Sequence, residues 1–218
     1  MKMKLYNIGK MKKEANKIYK KKLAMLEQVK IIVRKKGWSD KILSELIKKD
    51  FSNSDLILCF NKNHIDILNF ALDELNKIIE NEINKINIIN FPINKRIKKI
   101  LMNRLDILDK DKIFYKKTFN HLLLPQNSKI MKINLYNTID EMWYLAGDNS
   151  TDFSFYTKRL TLGAIYVNAL FIFFNKSYEE AEININKNLE KISKIPKIKD
   201  RFSLLKDNVP IFLRSFFN

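Results

Sequence analysis

"KKGWSDKILSELIKKDFSNSDLILCF", residues 35–60, sets the course of the chain. Gly37 follows an apolar-periodic run and suits the left-handed residue that closes a helix. Ser39 or Asp40 then suits the N-cap of a short helix in "DKILSELIKK", with Ile42, Leu43, Leu46 and Ile47 turned inward. "DFSNSD" makes a turn, and Ser52 with Asp55 three residues on has the spacing of a capping box. "DLILCF" is the next helix. Upstream, residues 14–35 repeat Leu23, Leu26, Ile31 and Val33 in helical fashion, and downstream a longer helix is expected from about Asn63 to Lys85. Long helix, short helix, turn, short helix is a helix-turn-helix layout.

The rest of the chain agrees with an all-α fold. Its 218 residues are 46% hydrophobic, enough for a sizeable core, and four Gly and four Pro supply few turn signals. Pro92 in "INFPINKR" breaks the chain and divides a basic arm with a helix-turn-helix-like unit, 1–90, from a helical bundle, 91–196. The bundle helices are expected near 94–108, 111–123, 128–146, 151–175 and 178–194. The third of them carries a stripe at Met131, Leu135, Ile139, Met142 and Ala146. Ser177 and Glu180 have capping-box spacing. The run "LTLGAIYVNALFIFF", 160–174, is shorter than the roughly 20 residues of a bilayer span and reads as a deeply buried helix.

Charge is unevenly placed. The formal charge is +17, and residues 1–36 hold thirteen Lys/Arg against two Glu, leaving +6 for the remainder. Such an arm suits nucleic acid or an acidic membrane surface, and equally a solvated lysine bias, because charge carries no geometry. The single cysteine, Cys59, lies in the apolar run "LILCF" and excludes an internal disulfide framework, so an intracellular protein is expected. The N-terminus offers no signal-peptide apolar region and lacks the Arg and Ser enrichment of a mitochondrial transit peptide.

Catalytic signals are missing. Neither a dinucleotide nor a P-loop glycine pattern occurs, so a phosphate has no glycine cradle. His64 and His121 stand far apart without metal-ligand spacing, and Cys59 has no neighbouring base. No cofactor, no metal and no catalytic residue is expected. The helix in the reading position of the helix-turn-helix, residues 54–60, has no basic residue and carries Asp55 near its N-terminus, so specific DNA recognition is not expected.

Two further stretches suit binding. In residues 197–218, Phe202, Leu205, Val209, Phe212 and Phe216 form an amphipathic stripe that either lies in a membrane interface or docks on its own bundle. "WYLAGDNSTDFSFYTKR", 143–159, sets Gly147 to end one helix and Ser150, Thr151 or Asp152 to cap the next. Caps account for part of this set. Trp143, Phe155 and Tyr156 beside Asp148, Asp152, Lys158 and Arg159 also make a mixture suited to a partner surface.

"EMWYLAGDNSTDFSFYTKRLTLGAIY", 141–166, closely resembles the signature of the COQ-nine family of ubiquinone-biosynthesis accessory proteins, M-W-x-x-A-G-D-x-S-T-D-x-x-W-Y-T-K/R-R. "KKGWSDKILSEL" looks like that family's opening helix-turn-helix and "HLLLPQN" like its L-L-P-x-N connection, so the likeness runs over about residues 20–195. It implies a TetR-like fold without DNA binding, a pocket for isoprenoid lipid, an amphipathic membrane-facing last helix, and a homodimer. The implied role is to bind an isoprenoid quinone intermediate at the membrane and present it to a ring-modifying enzyme, typically the di-iron demethoxyubiquinone hydroxylase. The implied partner patch falls on Met142, Trp143, Asp148, Asp152, Phe155 and Tyr156. The lipid wall falls on Leu145, Leu160, Ala164, Ile165, Val167 and Phe171, and the membrane helix on the stripe from Phe202 to Phe216. Phe155 stands where the family usually has Trp. The expected location is the cytoplasmic face of the inner membrane in a bacterium, or the matrix side of the inner membrane in a mitochondrion. A TetR-type regulator sensing a hydrophobic effector is the alternative, and it would need a basic reading helix.

Overall fold

The computed structural model describes residues 2–148 and 153–194. Among these residues the regular structure is entirely helical, as the composition predicts: α1 (Lys2–Lys36), α2 (Lys41–Ile47), α3 (Asn53–Phe60), α4 (His64–Asn84), α5 (Ile93–Asp109), α6 (Lys112–Leu122), α7 (Ser128–Leu145), α8 (Phe153–Asn175) and α9 (Tyr178–Lys194), with two 3-10 turns at Ile88–Asn90 and Pro125–Asn127. The amphipathic stripe at 202–216 and the caps at Ser150, Thr151 and Asp152 lie outside the described residues.

The helices group into two units. One comprises the chain up to Lys77 together with Asp111–Asn127, and the other Ile78–Lys110 together with the chain from Ser128 onward. This division is discontinuous, whereas the sequence reading drew a single cut at Pro92. Pro92 does punctuate the chain: it is the N-cap of α5, with the extended backbone that a residue at that place needs. The change of unit, however, comes within α4, because tertiary packing rather than a chain break decides membership.

In the first unit α1 packs on α2, α3 and α6. Its N-terminus lies twelve residues before the expected start, so the helix is about 52 Å long at 1.5 Å per residue. Met25, Val29, Ile32 and Val33 are its buried face, and they meet a core that includes Ile42, Leu46, Leu56, Phe60, Leu68 and Phe114. Gly37 ends α1 at φ +80° and its N–H returns to the Val33 carbonyl at 2.9 Å, the left-handed closure expected of it. The Ser52–Asp55 capping box is present with both of its hydrogen bonds, at 3.1 and 3.2 Å. The cap expected for α2 is absent: Asp40 holds the N-cap place with helical backbone and no side-chain bond to it. Its carboxylate instead sits 2.7 Å from His64 Nδ1, close enough for an ion pair but off the line of a hydrogen bond. Tertiary contact has outcompeted the local cap.

Trp38 is the keystone of this unit. Its indole N–H donates to Thr118 Oγ1 at 2.9 Å, and its ring stands 5.9 Å from Phe114 and 6.2 Å from His121. His121 in turn faces the ring of His64 at 5.9 Å. Burial, and then the charge of His64, push the His121 imidazole below its usual value. A lowered imidazole stabilises the fold only while neutral. Its contribution is complete above about pH 6.5, the unfolded value, and fades as pH falls toward the folded one. Urea midpoints measured between pH 7.5 and 5.5 should therefore fall, and His121→Gln should flatten that slope. An equal slope in the variant would place the titration elsewhere.

In the second unit α8 packs on α7 and α9, and α5 packs on α7 and α9. Ile97, Ile100, Leu101, Ile139, Met142, Leu162, Ala169, Phe173 and Ile185 are buried in its core. The expected α7 stripe is buried at Ile139, Met142 and Ala146, while Met131 and Leu135 are only half-buried. Ser177 Oγ accepts from the Glu180 N–H at 3.1 Å, capping α9 as its spacing predicts. Two arginines that the sequence reading passed over hold this unit together. Arg104, buried, donates through Nε to the Tyr166 hydroxyl at 2.6 Å. Arg96 donates to three carbonyls, of Ile89, Phe91 and Ala146, at 2.5, 2.6 and 2.9 Å, and so fastens the end of α7 beside the 3-10 turn before Pro92.

Candidate functional site

The α7–α8 corner begins at Gly147. This residue ends α7 at φ +77°, and a Cβ built on it would lie 3.1 Å from the Arg96 guanidinium, so backbone conformation and close approach both favour glycine. The scarce Gly noted in the sequence therefore serves geometry. Behind it, the Asp148 N–H bonds the Trp143 carbonyl at 3.0 Å and turns the Asp148 side chain inward.

Asp148 is the centre of the charges. Only 6% of its side chain is exposed, and it lies 2.6 Å from Lys158 Nζ and 3.6 Å from Arg159 Nη1. Arg159, itself nearly buried, also grips Asp140 through Nε at 2.7 Å and Nη2 at 2.6 Å. Its Nη1 reaches the Phe155 carbonyl at 3.3 Å, and its guanidinium carbon stands 3.2 Å from the centre of the Phe155 ring. A planar, always-charged guanidinium suits this combination of carboxylates and ring face better than an ammonium would. Lys158 lies over Trp143, 5.6 Å from the ring centre. The Lys-Arg pair thus locks α8 to the end of α7.

The residues expected to form a partner patch divide. Met142 is buried in the core at 2% exposure, and Asp148 is committed to its cations. Trp143 is half-buried, and its indole nitrogen is buried with no hydrogen-bond partner among the described residues. Phe155 is half-buried under Arg159, with the Tyr156 ring 5.2 Å away, edge to face. Tyr156 is 52% exposed and Tyr144, which the sequence reading did not single out, 74%. Asp152 lies outside the described residues. Among the described residues of this corner, Tyr144 and Tyr156 are therefore the aromatic side chains that face solvent beside a charge-locked base.

The residues expected to form a lipid wall also separate. On α8, Leu162, Ile165, Tyr166, Ala169, Leu170, Phe173 and Phe174 face inward. Leu160, Ala164, Val167 and Phe171 follow Tyr156 at spacings of four, four, three and four, and this row is half-buried or exposed; Leu145 at the end of α7 is half-buried. Of the six expected wall residues only Ile165 belongs to the core. The expected deeply buried helix is therefore two-faced: one side is core, and the other is an apolar surface. Nor is its apolar stretch short. Phe155–Asn175 is, by length and composition, long enough to cross a membrane, with 44% of its apolar window buried inside the fold.

The carboxylates and cations of the corner neutralise one another, and no group of three metal-ligating side chains occurs among the described residues. In the first unit, the exposed side chains of α3 are Asn53, Ser54, Ile57 and Leu58, with no Lys or Arg among them.

Comparison with known proteins finds a likeness over part of the chain. Residues 130–195 match the model of the COQ9 family. Over 45 residues, 21% of this chain, the sequence is 51% identical to the "Ubiquinone biosynthesis protein COQ9, mitochondrial" of Rattus norvegicus and 49% identical to that of Homo sapiens. The protein of the same name from Bos taurus is 44% identical over 50 residues. The matched stretch spans only 14 to 16% of the length of these relatives. The segment 130–195, which takes in most of α7 and all of α8, is thus similar to the COQ9 family.

Proposed function

We propose that this chain is a non-enzymatic, TetR-like accessory protein of ubiquinone biosynthesis that binds an isoprenoid quinone intermediate at a membrane and presents it to a ring-modifying hydroxylase. The observation that carries the reading is the coincidence of the family match with the α7–α8 segment, where two exposed tyrosines stand on a charge-locked base. A rigid base with aromatic side chains facing water is what a partner contact needs, because little entropy is lost when the partner docks.

The lipid would lie along the outward row of α8, from Leu160 to Phe171, which offers a long apolar strip to an isoprenoid tail. A homodimer using the same strip would shield that tail from water. Phe202, Leu205, Val209, Phe212 and Phe216 would hold the protein to the bilayer, and the relatives' names support the mitochondrial one of the two expected locations.

Lipid extracted from the purified full chain and identified by mass spectrometry tests the reading. A polyprenyl quinone or its precursor is the expected species, and its yield should fall severalfold in Val167→Asp/Phe171→Asp, since charges on the strip oppose burial of a tail. Extracts holding only bulk phospholipid, unchanged by the substitutions, would overturn it.

A further inference from the structure

In α3, the helix that would read bases in a DNA-binding unit, the side chains facing solvent include Ile57 at 56% exposure and Leu58 at 60%. Large aliphatic side chains on a short exposed helix serve no purpose in the core, which already takes Leu56, Cys59 and Phe60 from the same eight residues. They form a convex apolar tip, and its surroundings are cationic.

Lysines bracket the tip on several sides. Lys48 and Lys49 stand in the turn leading into α3, and Lys62 in the left-handed turn leaving it. On the neighbouring α1, Lys21 is anchored beside the first turn of α3 by its 2.6 Å bond to Asp55, and Lys22 lies 5.1 Å from the Phe60 ring beside the last turn. Lys49 and Lys62 are exposed and engaged in no ion pair among the described residues. An eight-residue helix is about 12 Å long, so these cations and the two aliphatic side chains fall within one small footprint. Of the nearby acids, Asp55 is paired with Lys21 and Glu45 with Lys48, while Asp50 is exposed in the turn beside Lys49, so the surplus of positive charge rests on Lys49 and Lys62.

We propose that this face docks on an anionic lipid surface, with Ile57 and Leu58 entering the headgroup boundary and Lys48, Lys49 and Lys62 meeting lipid phosphates. The arrangement disfavours DNA and fits a bilayer. DNA recognition draws on cationic donors along the helix and is opposed by an acid at its N-terminus, whereas α3 has no Lys or Arg, carries Asp55 in its first turn, and beyond Asn53 and Ser54 exposes aliphatic carbon. A protein groove would want a longer ridge of anchors at three- and four-residue spacing than the adjacent pair Ile57–Leu58 supplies. A bilayer interface takes a convex apolar tip ringed by long cationic side chains, since each lysine stem lies along the apolar boundary while its ammonium stays in water. This contact is additional to, and independent of, the one proposed for residues 202–216.

The test places a reporter at the tip. In the full chain, Leu58→Trp should give a blue-shifted emission component, absent from the wild type, on vesicles of phosphatidylcholine and phosphatidylserine at 4:1, and brominated lipid should quench it. Pure phosphatidylcholine should produce neither effect. Lys49→Glu/Lys62→Glu in the same background should reduce the shift about tenfold at a given lipid concentration, and Ile57→Ser should weaken it severalfold. An unshifted, unquenched signal from the introduced indole while the chain still sediments with the vesicles would overturn the proposal, because the membrane contact would then lie elsewhere on the protein. Failure of the chain to bind the vesicles would overturn it too, as would a shift obtained with duplex oligonucleotide and not with lipid.

Discussion

Arg159→Met should lower the stability of the second unit by about 3 kcal/mol, the loss typical of removing one partner from a buried ion pair. For a chain of this size that corresponds to roughly 6 to 12 °C in melting temperature. Methionine keeps most of the side-chain volume, so the loss is electrostatic rather than a cavity. What remains is Asp148, 6% exposed, with Lys158 as its only cation among the ion pairs described, and a Phe155 ring stripped of the guanidinium 3.2 Å above it. Asp140 matters less because its side chain is 44% exposed and turns to water without much cost. The sign of the pairing is open to a direct check: adding Asp148→Asn to Arg159→Met should recover part of the lost stability, since the double variant no longer buries an under-compensated carboxylate. Strict additivity of the two losses in urea melts would refute the account of Asp148 as the hub.

The same network shows where sequence reading stops. Helix ends were legible at Gly37, Gly147, Ser52 and Ser177 because each is fixed within a few residues by backbone conformation or a local hydrogen bond. Asp40 looked like a cap by the same logic, yet His64, twenty-four positions on, took its carboxylate. Asp148, Lys158 and Arg159 were visible as a cluster of charges. That they neutralise one another, and that Asp140 joins them, depends on how α7 lies against α8, which periodicity does not encode. Arg104 and Arg96 drew no attention at all, being single cations among many, until their tertiary partners defined them.

The outward row of α8 is a second case. A helix apolar nearly all round gives no polar face from which to orient it, so the sequence supports burial of the whole helix as readily as burial of half. Packing against α7 and α9 resolves this by claiming Leu162, Tyr166, Ala169 and Phe173, and leaving Leu160, Ala164, Val167 and Phe171 toward the outside. In α1 the difficulty is reversed. Its first ten residues, KMKLYNIGKM, include Gly9 and no capping residue at their start, and the helix nevertheless continues to Lys2. Lysine, methionine and leucine cost little in a helix, so local propensity supports the extension.

Tyr156→Lys should abolish quinone synthesis in complemented cells and capture of the hydroxylase, while lowering stability by about a kcal/mol or less, as expected of an exposed position. The two effects separate because of where the ring stands. Tyr156 is 52% exposed and begins the outward row of α8, whereas the next-door residue Phe155 is held under Arg159 and the core residue Met142 is fully enclosed. A partner that covers Tyr156 must desolvate whatever replaces it, and a lysine ammonium brought into an aromatic contact without a counterion is expensive. Phe155→Ala should behave differently: it removes the ring beneath the Arg159 guanidinium, so any loss of partner capture would come with a loss of stability. Lipid content distinguishes partner from lipid loss, because the row from Leu160 to Phe171 is untouched and bound lipid should remain with Tyr156→Lys. A large fall in melting temperature for Tyr156→Lys would make the residue structural. Unchanged hydroxylase capture would remove it from the partner surface and leave Tyr144, the more exposed of the two tyrosines, as the side chain to test at this corner.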